Sequence, residues 1–112
     1  MTKEVKFAAT FARAIAGGDS RAAHKMLSDD LAVALAATDL SSQFESLAED
    51  MGGVTGIGEP MVILQEWPDM SANDRAMVYV PLEGDDFSEA ITVKISEIDD
   101  VLCISSIEWG RP

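Results

Sequence analysis

The apolar positions of this chain change period once. Up to residue 51 they recur every three or four residues, which lines them along one stripe of a helix. Beyond residue 60 they alternate or run together, as strands do. In residues 2–16, Ala8, Phe11, Ala12 and Ile15 fall at i, i+3, i+4 and i+7, and Val5 and Phe7 widen the stripe. Thr2 is placed to cap this helix and Gly17-Gly18 to end it. Asp19 or Ser20 then caps a short second helix through about Leu27, burying Ala22, Ala23, Met26 and Leu27, and the four-residue junction makes the two helices packed neighbours. Asp29 and Asp30 read as the end of that helix. Residues 31–37 are apolar without a period and fit an extended crossover or a continued helix. Thr38 reads as the cap of a third helix in which Leu40, Phe44, Leu47, Ala48 and Met51 keep one face, until Gly52-Gly53.

Residues 54–60 hold Gly56 and Gly58 and read as a loop; the Gly-x-Gly lacks the preceding strand and following helix of a phosphate cradle. Residues 61–67 predict a strand, 68–74 a turn, and 76–82 a strand whose Pro81 argues for a sheet edge or a strand end. After a connection at 83–86 come two long runs, 87–96 and 101–109, split by a turn at 97–100. At about 3.3 Å per residue each is a strand of roughly 30 Å, long enough that the twisted pair must curl. Three helices followed by four strands predict an α+β fold with a mostly antiparallel, curved sheet. Alternation puts Val101, Cys103, Ser105, Ile107 and Trp109 on one face of the last strand and Leu102, Ile104, Ser106 and Glu108 on the other. With Met77 and Tyr79, Leu102 and Ile104 would make the outer sheet face apolar enough to predict a homodimer through it.

One hundred and twelve residues suit a single domain. The net charge of −12 is uneven, −3 over residues 1–53 and −9 over residues 54–112. Such a field repels phosphate backbones, so nucleic acid and anionic membranes are excluded as natural partners. No apolar run approaches the roughly 20 residues that span a bilayer, and the first residues lack a secretory pattern, so a cytoplasmic protein is expected. The single cysteine, Cys103, can form no intrachain disulfide and reads as a small buried hydrophobe.

The order of elements, together with Phe-Ala-Arg-Ala-Ile-Ala-Gly-Gly-Asp at residues 11–19, the Leu27-Ser28 helix end, the Thr38-Asp39-Leu40 helix entry and the closing strand at 104–109, resembles the nuclear-transport-factor-two-like superfamily, which includes the ketosteroid isomerases. The resemblance implies a cone-shaped, cystatin-like α+β fold with a hydrophobic pocket between helices and sheet. It does not carry the isomerase chemistry over. Comparable enzymes take a Tyr from the first helix, where this chain has Phe7 and Phe11, and the only tyrosine, Tyr79, lies on a middle strand.

The residues that would line such a pocket or its rim are His24, Asp39, Phe44, Trp67, Tyr79, Glu108 and Trp109. Asp39, Glu66 and Glu108 would become general acids if buried in it. His24, the only histidine, would need a positioned carboxylate to act as a base. The acidic pairs Asp29-Asp30, Asp85-Asp86 and Asp99-Asp100 lack the alternation of a calcium loop, and no ligand spacing of the zinc type occurs, so no metal or cofactor is expected. The expected function is non-enzymatic: binding of a small apolar ligand or a protein partner through the pocket or the outer sheet face. The alternatives are an isomerase- or dehydratase-like enzyme and an acidic, immunity-type inhibitor of a basic enzyme.

Overall fold

A computed structural model describes residues 2–110. Helix α1, Lys3–Ala16, is capped by the Thr2 hydroxyl, which accepts from the Val5 N–H, and buries Val5, Ala8, Phe11, Ala12 and Ile15 as its spacing requires. Asp19 caps the short α2, Ser20–His24. Two expectations about the next segment are corrected. Asp29 and Asp30 do not end a helix. They open α3, Asp29–Ala34, behind the cap Ser28, where carboxylates suit the positive end of the helix. Thr38 is not a cap either. Helix α4, Ala37–Asp50, starts after Ala36, whose N–H donates to the Asp39 carboxylate at 2.9 Å, so the capping group reaches back from inside the first turn.

Among the described residues the sheet has five antiparallel strands rather than four, and the helices number four rather than three. The strands are β1, Val54–Ile57; β2, Met61–Leu64; β3, Asp74–Gly84; β4, Glu89–Ile98; and β5, Val101–Trp109. The sheet is curved and open. Its order is β1-β3-β4-β5, with β2 also paired to β3. The expected loop at 54–60 is therefore mostly β1. Its glycines suit a close strand: a Cβ on Gly58 would come 2.9 Å from the Pro81 ring. Pro81 lies inside a central strand, not at an edge. A strand residue points its N–H and C=O to the same side, and the Pro81 carbonyl accepts from the Gly58 N–H at 2.8 Å. The missing donor thus faces the gap where β1 hands over to β2, and no ladder bond is lost. Strand β4 begins at Glu89, leaving Phe87 exposed in the turn. Asp99 and Asp100 both have positive φ, 52° and 64°, and form the two-residue turn of the β4–β5 hairpin.

The face assignment of β5 also needs correction. Lys94 pairs with Ser106 while Ile95 pairs with Ile104, so Ser105 is an extra, bulged residue. Alternation restarts after it. Leu102, Ile104, Ile107 and Trp109 all join the helix-side core; Val101, Cys103, Ser106 and Glu108 take the outer side. The core is completed by Leu40, Phe44, Leu47 and Met51 of α4 against Val78, Val80, Leu82, Ile91, Val93 and Ile95.

The two sides of the sheet end differently. Beyond β5, the Ile104 N–H donates to the Met26 carbonyl at 2.8 Å and the Ser28 N–H to the Ile104 carbonyl at 2.7 Å, so the chain between α2 and α3 covers that edge. Beyond β2 no strand follows among the described residues.

Candidate functional site

The residues singled out in the sequence divide into separate groups. Phe44 and Trp109 meet edge-on, ring centroids 6.4 Å apart, and the Trp109 indole N–H donates to Gln43 Oε1 at 2.6 Å. This pair closes the space between α4 and the end of β5. His24 is half-buried, and its Nε2 lies 2.9 Å from the Leu35 carbonyl and 3.2 Å from the Ala32 carbonyl. With two acceptors before it, that nitrogen carries the proton. It ties α2 to the end of α3, and among the described residues no carboxylate pairs with it. Asp39 is exposed and occupied with the start of α4; Glu66 is exposed, and Trp67 is half-buried in the β2–β3 connection.

Tyr79 and Glu108 do come to one place, the outer face of the sheet. Met61 pairs with Tyr79, Tyr79 with Thr92, and Thr92 with Glu108, a single row across β2, β3, β4 and β5. The next row is Leu64, Met77, Lys94 and Ser106. The β2–β3 side of this face is apolar and the β4–β5 side polar. Thr92 at its centre is buried, and its hydroxyl is the one buried side-chain polar atom without a hydrogen-bond partner among the described residues. Leu102 and Ile104, which the sequence placed here, are on the other side.

The lower part of the face holds a buried polar chain. Asp74 Oδ1 accepts from the Ser96 hydroxyl at 2.9 Å, Asp74 Oδ2 accepts from the Ser71 N–H at 2.9 Å, and the Ser96 and Ser105 hydroxyls are 2.7 Å apart. Burial pushes the Asp74 carboxyl up. The hydrogen bonds from Ser71 and Ser96 and the charge of Lys94 outweigh it and hold the group below its ordinary range. A carboxylate kept charged and doubly hydrogen-bonded is a structural anchor, poorly suited to donate a proton.

Two depressions open on the surface. One, of about 310 Å³, lies between Lys25, Leu27 and Asp29 and the β4–β5 hairpin tip, with Cys103 in its wall. Burial first, and the Asp29 charge second, raise the Cys103 thiol, which opposes nucleophile chemistry. The other, of about 390 Å³, runs shallowly along residues 62–65 of β2 and its exit. Beside it Met61, Ile63 and Leu64 are 51%, 37% and 42% exposed. These residues escaped the sequence reading because Met-Val-Ile-Leu is the composition of a core strand. The signal was the bracket around them: Glu59 and Glu66 enclose six uncharged residues in a strongly acidic chain.

No group of three or more His, Cys, Asp or Glu side chains among the described residues is placed to hold a metal ion, and no helix among them is long and apolar enough to cross a membrane. The chain matches no protein family model, no curated protein and no solved structure.

Proposed function

We propose that this chain is a non-enzymatic binding domain of the nuclear-transport-factor-two-like kind, with a cone-like sheet, that engages a protein through the β2–β3 side of its outer face. One observation carries the reading. Met61 and Tyr79, and Leu64 and Met77, form cross-strand pairs on the sheet face turned away from the helix-side core, and Met61 and Leu64 are exposed. The opposite face offers little room for a ligand, since Phe11, Leu40, Met51, Leu82 and Ile91 are wholly buried between helices and sheet. Catalysis in a cone pocket would need two carboxylates, or a carboxylate with His24, turned into one cavity. Asp39, Glu66 and Glu108 are exposed instead, and His24 is held by backbone carbonyls. Any self-association uses the same face.

The test is panning of a displayed random-peptide library against the chain, with sedimentation of the chain alone over a wide concentration range. Binders are expected to compete for one surface and to lose affinity for Met61→Lys/Leu64→Lys, and any self-association is expected to vanish in the same variant. Both changes are at exposed positions, so the circular dichroism should be unaltered. Binders indifferent to both lysines, or none at all with a strictly monomeric chain, would overturn the reading.

A further inference from the structure

We propose that the free edge of β2 receives an extended segment of a different protein, apolar in its middle and carrying Lys or Arg at both ends. This rests on the protein-binding reading and names the chemistry of the partner.

The first ground is the edge itself. An outer strand presents unpaired N–H and C=O groups, and proteins ordinarily blunt such edges with charge, proline or a covering segment. Here the β5 edge is covered by the chain at Met26–Ser28 through two hydrogen bonds, whereas β2 has β3 on one side and no strand on the other among the described residues. Strand β2 carries no charge, exposes three of its four side chains, and is flanked by an open depression along residues 62–65. Main-chain pairing at such an edge supplies affinity, and neighbouring side chains supply selection. Four residues with a bulge between Val62 and Leu64 limit the guest to a short segment.

Charge decides which guest. Glu59 and Glu66 are both exposed, and neither makes an ion pair or side-chain hydrogen bond among the described residues. They stand at the two ends of the uncharged run. A second copy of the chain, paired antiparallel about the midpoint of residues 62 and 63, would set Glu59 against Glu66 at both ends and join two chains of net charge −12. Like charges directly opposite are unfavourable, and here they would occur twice. A segment with cations at those two places reverses both signs and is drawn in by the acidic field.

The experiment titrates the full chain, labelled with ¹⁵N, with two capped peptides, Lys-Lys-Val-Ile-Val-Val-Lys-Lys and its counterpart with Glu for each Lys. The expected result is shift change and slowed amide exchange at residues 61–64, with the Lys peptide binding about tenfold tighter or more, since two attractive pairs replace two repulsive ones. In Glu59→Lys/Glu66→Lys the preference should invert, and rising salt should narrow it in both proteins. Equal affinity for the two peptides, changes centred elsewhere, or binding of neither overturns the proposal. So does β2 protection that grows with protein concentration alone, which would mark a second copy as the occupant. Library binders lost in Met61→Lys/Leu64→Lys while neither peptide binds would remove this proposal and leave the broader reading in place.

Discussion

The hydroxyls of Ser96 and Ser105 lie 2.7 Å apart, and the second belongs to the one residue of β5 that β4 skips. That skip lets Ile104 and Ile107 share the helix-side face although three positions separate them. The core face therefore depends on counting one residue too many at Ser105-Ser106. Removing one serine leaves Ile104, Ile107 and Trp109 in strict alternation on the same face, at the loss of the bulge and of the link to Ser96. Adding one puts Ile104 and Ile107 four positions apart, which keeps them on one face only by sliding Ile107 and Trp109 two residues along β4, from Val93 and Ile91 to Ile91 and Glu89. We expect the deletion to stay cooperatively folded with a loss of about 1–3 kcal/mol. The insertion should lose more, and should flatten the near-ultraviolet circular dichroism as the Phe44–Trp109 contact opens. Urea melts of the two variants decide it. An insertion as stable as the deletion would contradict the register.

The same bulge shows where the sequence was legible and where it was not. The stripe of Leu40, Phe44, Leu47 and Met51 was readable because helical spacing leaves little freedom over about three turns, and all four are buried. The β4–β5 hairpin was readable because the acidic turn sits between two long apolar runs. Ser105 was not, since two consecutive serines carry no sign of which one is skipped, and a single skip inverts every later side chain. Strand β1 hid behind Gly56 within it and Gly58 just after it, the second of which serves close approach to the Pro81 ring rather than flexibility. Helix α3 is only six residues long, too short for a period to declare itself. At the candidate site, Tyr79 and Glu108 were legible by alternation. The exposure of β2 was not, because an apolar strand has the same letters at a free edge as in a core.

Asp74 makes the fold acid-sensitive. Its carboxyl is held below its ordinary value of 3.8, so the folded chain binds that proton less readily than the unfolded chain. The contribution is complete above the ordinary value and is lost as pH falls through the lower folded one. Denaturant midpoints measured downward from pH 5 should therefore fall more steeply for the parent than for Asp74→Asn. At neutral pH, Asp74→Ala should cost about 1–3 kcal/mol, because the Ser71 N–H and the Ser96 hydroxyl lose their acceptor. Parallel acid profiles for parent and Asp74→Asn would assign the sensitivity to other carboxylates.

Gly84 is where the β3–β4 hairpin meets the end of α4. The Met51 carbonyl accepts from the Asp86 N–H at 2.9 Å, satisfying a helix end that has no basic residue in its last turn. A Cβ on Gly84 would lie 2.7 Å from the Phe87 carbonyl oxygen and 2.8 Å from both the Gly53 carbonyl oxygen and Met51 Cβ. Two of these neighbours are backbone and cannot turn aside. Gly84→Ala should therefore destabilise by about 1–3 kcal/mol, as overpacking does. Gly18→Ala is an instructive companion. Its Cβ would meet nothing within 4 Å, so only the positive φ of 85° opposes it, and its cost, read from urea midpoints, should be the smaller.

Thr92 predicts a gain. It sits mid-strand in β4 between Tyr79 and Glu108, 6% exposed, with its hydroxyl unpartnered. Folding strips water from that oxygen and returns no hydrogen bond, a penalty of about 1–3 kcal/mol in comparable cases. Valine keeps the branched shape, favours strands and has no polar atom to desolvate. Thr92→Val should stabilise by about 1 kcal/mol, which in a domain of this size raises the melting temperature by roughly 4 °C. The substitution is buried between Tyr79 and Glu108 on a strand that does not pair with β2, so it leaves the exposed pair Met61 and Leu64 untouched, and peptide binding at the β2 edge should not change. A melting temperature that drops would mean the hydroxyl has a partner in solution, and the centre of the outer face would then be wetter than its packing indicates.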